Sequence, residues 1–400
     1  MKDGKSLSKK NHKKHFNTKV IHEGQKPEKP YGAVSLPIYQ TSTFEQEEFG
    51  EYLFDYSRAD NPTRQNLEKN IASLEGGVGA VAYSSGMAAI SSICQMFSSG
   101  DEFIFTNNVY GGTYRLMEKI MKRFDLKVKW IDTANIKDIK NAITLNTKMI
   151  FIETPTNPMM KLSNINEISL LTKDSQIMLV VDNTFMSPFF QRPLELGADI
   201  VVHSSTKYIG GHSDIIGGLV IVKDNQKVLE DLRFIQMSVG AVPGPFDCWL
   251  TQRSIKTLGV RMQRHNENAI ELANLLEASN EVKNIYYPGL KGHPHHELAK
   301  KQHIDPNGNY AFGGMISFGL ANEAKAKQFV KNLSIFTLAE SLGGVESLVC
   351  HPASMTHASM PKDLREKVGI TEGLLRLSIG IEDISDLKED ITNALASISS

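Results

Sequence analysis

The chain has few cysteines, no excess of charge of either sign and no long apolar run. Its three cysteines, Cys94, Cys248 and Cys350, are too few and too scattered for a disulfide framework or a cysteine-based zinc site, so we expect them to be buried in a reducing compartment. Lys plus Arg (44) nearly balances Asp plus Glu (45), and this net charge of −1 argues against a nucleic-acid-binding protein. The longest apolar candidate, residues 215–222, falls well short of the ~18 residues that a membrane span needs. These features predict a soluble, cytoplasmic protein of about two or three domains.

Lysines dominate the first twenty residues. Seven lysines face a single acid, Asp3, with almost nothing apolar between them. A signal peptide would need an apolar segment of about 7–15 residues after its basic start, and none follows here. We therefore predict that residues 1–16 form a solvated, disordered tail, with a targeting or polyanion-binding arm as the alternative.

From about residue 70, strand and helix patterns alternate. Apolar residues recur at three- and four-residue spacings after Gly86, which predicts a helix there, and residues 114–123 form a second predicted helix. Several apolar runs do not alternate with polar residues, as is typical of strands buried on both faces of a parallel sheet. The predicted fold class is therefore α/β. The predicted strands of this region are 102–105, 127–131, 149–152, 177–181 and 200–202.

Polar residues follow the last three of these strands directly. Because open α/β sheets bind ligands beyond the carboxyl ends of their strands, we expect these residues to converge on one site. They supply the groups that pyridoxal phosphate (PLP) requires: a lysine to hold it, an acid for its pyridine nitrogen and donors for its phosphate. Tyr110, in an earlier turn, offers an aromatic ring to stack on the cofactor. The strand-end residues are Glu153, Thr154, Thr156, Asn157, Asp182, Asn183, Thr184, Ser204, Ser205, Thr206 and Lys207.

Each of these residues has a simpler explanation when taken alone. Lys207 could be a surface charge, Asp182 could cap the next helix, and Ser85-Gly86 could form a cap or a turn. The PLP hypothesis depends on the whole set, because it is improbable that every member is explained by a separate, unrelated role. A non-catalytic protein on the same scaffold would not be expected to keep both Lys207 and Arg376.

Two other classes of site find less support. A nucleotide-binding dehydrogenase needs a Gly-x-Gly-x-x-Gly turn after its first strand, whereas residues 76–79 place their glycines before an apolar stretch. His293, His295 and His296 surround a proline in a polar loop, and we expect them to be surface residues and not metal ligands. No metal site is predicted.

Several longer motifs resemble those of the Cys/Met-metabolism PLP-dependent enzymes. The resemblance runs from about residue 17 to the C-terminus and leaves only the basic tail outside. It implies the type I PLP fold (aspartate-aminotransferase-like), with a mostly parallel sheet in a large domain and a smaller C-terminal α/β domain. The motifs are Tyr56-Ser57-Arg58, Asn61-Pro62-Thr63-Arg64, residues 109–113, 153–158, 181–185, 204–208 and 210–214.

The resemblance also implies a domain organisation and an assembly. Residues 17–62 are expected to form an N-terminal arm on a neighbouring subunit, residues 63–257 the large PLP-binding domain and residues 258–400 the C-terminal domain. The expected assembly is a homotetramer built as a dimer of dimers, in which two chains share each active site. Within the last domain, residues 261–276 have the apolar pattern of an amphipathic helix.

The family's cofactor-binding residues match positions in this chain. Lys207 resembles the lysine that binds PLP covalently, Asp182 the partner of the pyridine nitrogen, and Tyr110 the ring stacked on the cofactor, with Lys207 and Tyr110 also in catalytic roles. A backbone turn, two hydroxyls and an amide match residues that contact the phosphate and the phenolic oxygen, and two arm residues match contacts from the neighbouring subunit. These further positions are Gly86, Met87, Ser204, Thr206, Asn157, Tyr56 and Arg58.

Substrate contacts follow from the same resemblance. Arg376 matches the arginine that binds the substrate carboxylate, because a guanidinium pairs with it through two hydrogen bonds. Arg115 matches a further substrate-contacting arginine, Ser341 a hydroxyl beside the lysine, and Asp55 a second acid at the mouth of the site. Asn157, Arg58 and Tyr110 are expected to touch the substrate as well as the cofactor.

Glu340 carries most information on the reaction. Family members that act on cystathionine have an acid here that can pair with the distal ammonium group, whereas those that cleave methionine are expected to be apolar. Members that catalyse β-elimination usually lack the stretch 339–344. We therefore expect γ-elimination of L-cystathionine to L-cysteine, 2-oxobutanoate and ammonia, the cystathionine γ-lyase reaction of transsulfuration. The first alternative is γ-replacement of an O-acylhomoserine by L-cysteine. Methionine γ-elimination and O-acylhomoserine sulfhydrylation are the less favoured alternatives.

Overall fold

A computed structural model of the chain describes residues 14–29, 31–358 and 360–399. The predicted tail, residues 1–16, lies outside the described residues apart from its last three. Of these, Phe16 begins helix α1 (Phe16–His22) and is buried. Its ring contacts Phe189 edge-on at a centroid distance of 5.4 Å. A helix therefore begins at the last residue of the predicted tail.

A seven-stranded sheet forms the centre of the first part of the chain. Its strand order is β1-β7-β6-β5-β4-β2-β3, and only β7 runs antiparallel to its neighbours. The strands are β1 (Gly79–Tyr83), β2 (Glu102–Thr106), β3 (Lys127–Ile131), β4 (Thr147–Glu153), β5 (Met178–Asp182), β6 (Ile200–Ser204) and β7 (Gly218–Val222). The helices that accompany it are α2 (Pro62–Glu75), α3 (Gly86–Cys94), α4 (Gly111–Lys119), α5 (Ile136–Ala142), α6 (Ile165–Thr172), α7 (Ser187–Phe190), α8 (Gln226–Val239) and α9 (Pro245–Ile255).

The strands predicted from continuous apolar runs are all present, and β4, β5 and β6 are parallel neighbours, as predicted. One predicted helix differs. Instead of 114–123, α4 begins at Gly111 and ends at Lys119, and a 3₁₀ turn, Met121–Phe124, follows it. Ile120 between them has φ −112° and ψ −60°, which departs from regular α-helical geometry.

Alternation along each strand creates two buried faces. Val180 and Val202 pack with Ile90 of α3 on one face, called here the α3 face. Val181 and Val201 pack with residues of α2 on the other, called the α2 face. Because neighbouring residues of a strand point to opposite faces, the last residue of each strand and the residue beside it also lie on different faces.

The C-terminal part contains its own sheet and its own apolar core. The sheet order is β10-β11-β12-β9-β8, and only β10 and β11 are parallel. The elements are α10 (Leu258–Glu277), β8 (Asn284–Tyr286), α11 (His296–Gln302), β9 (Met315–Gly319), α12 (Glu323–Lys331), β10 (Thr337–Leu338), β11 (Leu348–Cys350), α13 (Lys362–Lys367), β12 (Leu374–Ser378) and α14 (Ile384–Ala396). The predicted α/β class with a second domain is confirmed. The predicted boundary at 257/258 lies between α9 and α10 and stays a prediction.

The structure can be compared with two expectations that came from the composition. Cys94, Cys248 and Cys350 are all buried, as expected. Within the described ranges, no helix combines the length and apolarity that crossing a membrane would require.

Candidate active site

The carboxyl ends of β4, β5 and β6 border a cavity of about 360 Å³. Glu153, Asp182 and Ser204, the last residues of these strands, all line it on the α3 face. Residues of the C-terminal part close its other side. The predicted site residues that the structure brings together around the cavity are Gly86, Met87, Tyr110, Asn157, Asp182, Ser204, Thr206, Lys207, Glu340, Ser341 and Arg376.

Lys207 follows β6 and directs its amine into this cavity. Its Nζ donates a hydrogen bond to Ser341 Oγ at 3.0 Å. Burial and the positive charge of Arg376 lower the pKa of Lys207 to about 8, and the negative charge of Glu340 opposes them by raising it. A lysine with this pKa is neutral in part near physiological pH. Lys207 can therefore act as a nucleophile or a base. A free lysine, with a pKa of about 10.4, would be almost fully protonated at this pH and would be a poor base.

Arg376, on β12, is buried beside this lysine. Its Nη1 donates to Asn157 Oδ1 at 2.8 Å and its Nη2 to the Ser341 carbonyl at 2.9 Å. Its Nε has no hydrogen-bond partner among the described residues. A buried guanidinium with an unused donor is suited to bind a carboxylate.

The Ser341 loop is held in an unusual conformation. Ser341 has φ +90°, a left-handed value that costs a non-glycine residue about 1–3 kcal/mol. Gly343, two residues later, has φ +75°, and a Cβ there would lie 2.7 Å from the Tyr208 backbone nitrogen. The close approach of this loop to the residue after Lys207 places the Ser341 hydroxyl beside the lysine amine.

Two carboxyl groups, one buried (Glu153) and one partly buried (Asp182), lie side by side at the cavity. Glu153 and Asp182 are register partners of β4 and β5. The carboxyl of Glu153 accepts from the backbone nitrogens of Tyr110 (3.0 Å) and Asn157 (2.9 Å). Burial and the negative charge of Asp182 raise the pKa of Glu153 to about 8. Since adjacent carboxyls oppose each other's ionisation, Glu153 is the one that takes a proton near neutral pH.

Asp182, the other member of this pair, has hydrogen bonds of its own. Burial raises its pKa, while hydrogen bonds from Thr184 and the charge of His203 act in the opposite direction. The Thr184 backbone nitrogen donates to Asp182 Oδ1 at 2.9 Å. A carboxyl group so held can pair with a protonated pyridine nitrogen.

Helix α3 begins next to the end of β6, and its first residues also line the cavity. Ser85 caps it by accepting a hydrogen bond from the Ala88 backbone nitrogen at 3.0 Å. A Cβ on Gly86 would lie 3.0 Å from Ser204 Cβ, so glycine permits the close approach of this turn to β6. The backbone N–H groups at a helix start and the positive end of its dipole together suit a phosphate.

Tyr110 caps α4 and presents a partly exposed ring to the cavity. A Cβ on Gly112 would lie 2.4 Å from Tyr110 Cε1 and 3.1 Å from Met87 Sδ. The position of the ring therefore depends on glycine at 112. The residues present thus fit PLP: an amine, a carboxyl group, an aromatic ring and a helix start surround one cavity.

Four of the predicted residues lie away from the cavity. Asp55, Tyr56 and Arg58 are exposed on the arm, and Arg115 is exposed on α4. Arg58 Nη1 donates to the Met237 carbonyl at 2.7 Å, and its guanidinium lies 5.7 Å from the Tyr56 ring centroid. Their roles at a neighbouring subunit's site stay predictions.

Some cavity residues were given no role from the sequence alone. Glu153 and Thr184 line the cavity and hold Tyr110, Asn157 and Asp182 through the hydrogen bonds described above. The signal for Glu153 was its place at the end of a buried strand, beside the strand that ends at Asp182. Its hydrogen bonds to the backbone nitrogens of Tyr110 and Asn157 are visible only in the structure.

The expectation for the histidine loop was wrong in part. His293 is buried, and His295 and His296 are partly buried. His296 Nδ1 lies 2.8 Å from the Pro288 carbonyl, which ties the loop to the C-terminal core. Among the residues that the structure describes, no three His, Cys, Asp or Glu side chains are grouped to hold a metal ion.

Comparisons with known proteins agree with this site. The family model of the Cys/Met metabolism PLP-dependent enzymes matches residues 17–396. A cystathionine beta-lyase of Lactococcus lactis subsp. cremoris is 52% identical over 381 residues, which are 95% of this chain and 98% of the relative. A cystathionine gamma-lyase of Bacillus subtilis is 49% identical over 382 residues, 95% of this chain and 99% of the relative.

A solved structure extends the likeness to the whole fold. The crystal structure of cystathionine gamma synthase from Xanthomonas oryzae pv. oryzae, in complex with aminoacrylate and cysteine, has a TM-score of 0.93 and 40% identity. The match covers 97% of this chain and 99% of that chain. These likenesses confirm the predicted type I fold and the PLP cofactor. The relatives are named for different reactions, so what they establish jointly is a PLP-dependent lyase of cysteine and methionine metabolism. The chain belongs to the Cys/Met metabolism PLP-dependent enzyme family.

Proposed function

We propose that the chain is a cystathionine γ-lyase, which cleaves the Cγ–S bond of L-cystathionine to give L-cysteine, 2-oxobutanoate and ammonia. The observation that carries the proposal is the place of Glu340. It lines the same cavity as Lys207 and is close enough for its charge to act on the lysine amine. Cystathionine has an ammonium group at each end, and an acid at the cavity mouth suits the end that does not react.

Substrate orientation follows from the charged groups at the two sides of the cavity. The Arg376 guanidinium, whose Nε is unpaired among the described residues, binds the carboxylate next to the reacting carbon. Asn157 keeps Arg376 in place by accepting from its Nη1. Glu340 binds the distal ammonium group. Two charge contacts at fixed separation hold the Cα and Cβ hydrogens near Lys207.

The cofactor would lie between Tyr110 and the base of the cavity, with Lys207 at its carbonyl carbon, Asp182 at its ring nitrogen and the start of α3 at its phosphate. PLP, when bound, supplies an electron-accepting ring for the charge left by proton removal at Cα. The carboxyl of Asp182, which is partly buried, would pair with the ring nitrogen and keep it protonated.

Lys207 moves the protons. Its amine, with a pKa lowered to about 8, takes the proton from Cα while Ser341 Oγ, 3.0 Å from Nζ, orients it. A γ-elimination requires a second proton to leave from Cβ before the thiolate departs from Cγ, and we assign this step to the same amine. The amine must pass on the first proton before it takes the second. Of the two protons removed, the leaving cysteine sulfur takes up one and Cγ, which becomes the methyl carbon of 2-oxobutanoate, takes up the other. Water then releases 2-oxobutanoate and ammonia.

β-Elimination of the same substrate is the second candidate. The relative that is 52% identical is named a cystathionine beta-lyase, and this reaction would use the same Cα proton transfer by Lys207. It would break the Cβ–S bond and give homocysteine, pyruvate and ammonia. The two reactions differ in which half of cystathionine lies at Lys207, the cysteine half for β-elimination and the homocysteine half for γ-elimination. They differ also in whether a Cβ proton is removed. The structural relative is named a cystathionine gamma synthase. Its reaction, γ-replacement, would also begin with proton removal from Cα and Cβ but would end with the addition of a thiol.

Product analysis separates these possibilities. The holoenzyme is incubated with L-cystathionine alone, and separately with an O-acylhomoserine plus L-cysteine. We expect 2-oxobutanoate and cysteine from the first incubation. Pyruvate and homocysteine as the main products would identify a β-lyase, and formation of cystathionine in the second incubation without cleavage in the first would identify a synthase.

We further propose that Tyr56 and Arg58 serve the site of a neighbouring chain in a homotetramer. Both side chains are exposed and lie on the arm, away from this chain's own cavity. Cationic and hydroxyl donors there suit the cofactor phosphate of a second copy.

A further inference from the structure

A row of buried polar residues lies on the α2 face of the sheet, directly behind the active site. The strand-end residues Glu153, Asp182 and Ser204 point to the α3 face. The residues beside them in sequence, Thr154, Asn183 and His203, therefore point to the opposite face. All three are almost completely buried.

Hydrogen bonds connect this row from strand to strand. Gln191 Nε2 donates to the Thr154 carbonyl at 3.1 Å and to Asn183 Oδ1 at 2.8 Å. Asn183 Nδ2 donates to Glu75 Oε1 at 3.0 Å. His203 Nε2 lies 2.6 Å from the same oxygen. One unbroken chain of contacts thus joins the carboxyl ends of β4, β5 and β6 from behind.

Glu75 is the member that joins β5 to β6. It is the last residue of α2, its side chain is fully buried, and its Oε1 accepts from residues of both strands. Its Oε2 has no partner within the described part of the chain. The helix end that carries it is held by Leu74 and Ile71, which are buried in the core on the α2 face.

Burying a carboxyl group destabilises the folded state unless hydrogen bonds compensate for its lost hydration. Here the carboxyl contacts Asn183 and His203. Each of them is adjacent in sequence to a residue that lines the cavity, Asp182 and Ser204 respectively. A shift of Asn183 would move Asp182, and a shift of His203 would move Ser204 and the turn that leads to Lys207.

We propose that Glu75 is a positioning residue of the PLP site: its Oε1 ties the carboxyl ends of β5 and β6 together and so sets the distance between the group that binds the pyridine nitrogen and the lysine. Its effect reaches the cofactor only through Asn183 and His203. The proposal concerns cofactor geometry and does not depend on which sulfur amino acid the enzyme cleaves.

The test uses four variants of the full chain. Glu75→Leu removes the acceptor, and His203→Leu removes the same link from the β6 side. Glu75→Gln keeps an acceptor oxygen in place. Asp199→Leu is the matched control, because Asp199 Oδ2 accepts from the Leu179 backbone nitrogen at 2.8 Å and so ties the same two strands at their amino ends, far from the cavity.

Two readouts report on the bound cofactor independently of turnover: the dissociation constant of PLP, and the visible circular dichroism per bound PLP, which depends on how rigidly the ring is held. Both are measured where thermal melts show each variant fully folded. We expect Glu75→Leu and His203→Leu to bind PLP about tenfold more weakly, as for lost hydrogen bonds to a charged group, and to lose much of the dichroism. Glu75→Gln should stay within about threefold of the wild type.

Asp199→Leu should lower the melting temperature and leave both cofactor signals unchanged. Wild-type PLP affinity and dichroism in folded Glu75→Leu or His203→Leu would overturn the proposal. Equal losses in Asp199→Leu would also overturn it, because they would show a general effect of destabilising the sheet. If Glu75→Leu does not fold, His203→Leu decides the matter by the same criteria.

Discussion

Replacing Glu340 by Gln tests the proposed substrate most selectively. The change removes one negative charge at the cavity and keeps the size of the side chain. L-Cystathionine carries a distal ammonium group that should pair with Glu340, whereas L-homoserine has none. We expect kcat/KM for cystathionine to fall and kcat/KM for homoserine to stay the same or rise.

The exposure of Glu340 sets the size of this effect. A charge-assisted hydrogen bond in a desolvated site contributes about 1.5–3 kcal/mol. Glu340 is exposed, however, so water and salt screen the pair and its contribution should be closer to the 0.2–1 kcal/mol typical of surface ion pairs, at about the upper end. This corresponds to a loss of about fivefold in kcat/KM, which should shrink as the ionic strength rises.

The same variant has a second consequence. The negative charge of Glu340 raises the pKa of Lys207, so its removal should lower that pKa further below about 8. The neutral form of the amine would then be available at lower pH. Steady-state kinetics from low to high pH measure both effects, and Glu323→Gln, at an exposed residue of helix α12, is the control. Equal losses on cystathionine and homoserine would refute the idea that Glu340 binds the distal ammonium group.

Three further predictions follow from the same geometry. In the apoprotein, Lys207 should react with a small acylating reagent with a pH midpoint of about 8, followed by mass spectrometry; a midpoint near that of free lysine, about 10.4, would contradict its proposed environment. Gly112→Ala should displace the Tyr110 ring, because the added Cβ would lie 2.4 Å from Cε1, and should weaken PLP binding severalfold in a fluorescence titration; unchanged binding would show that the ring position does not matter. Chains carrying Tyr56→Phe with Arg58→Ala, and chains carrying Lys207→Ala, should each be nearly inactive, and mixed oligomers should regain activity at sites made of intact residues; no recovery in properly mixed chains would count against shared sites.

The sequence was sufficient to predict the sheet that carries the site. Continuous apolar runs such as 149–152 and 200–202 are typical of strands buried on both faces, and each is followed by the polar residues that line the cavity. Because parallel strands end at one edge, the meeting of Asp182 with Lys207 could be inferred before any coordinates were known.

Residues that act through other residues were not predictable. Glu75 ends a helix more than a hundred positions from Asn183 and His203, and only the folding of α2 onto the sheet brings them together. The unusual φ of Ser341 and the Nε of Arg376, which has no partner in the described part of the chain, depend in the same way on contacts between distant segments. The burial of His293 was missed because the loop that carries it is polar in sequence.

Hydrogen exchange into a substrate analogue tests the central claim most directly. The claim is that Lys207 removes protons from both Cα and Cβ, since only γ chemistry needs the second. L-Norvaline offers both kinds of proton and has no group that can leave. Incubated with the holoenzyme in deuterium oxide and followed by proton NMR, it should lose its Cα and Cβ signals with the wild type and keep both with Lys207→Ala. Exchange at Cα alone with the wild type would contradict the γ-lyase proposal and favour β-elimination.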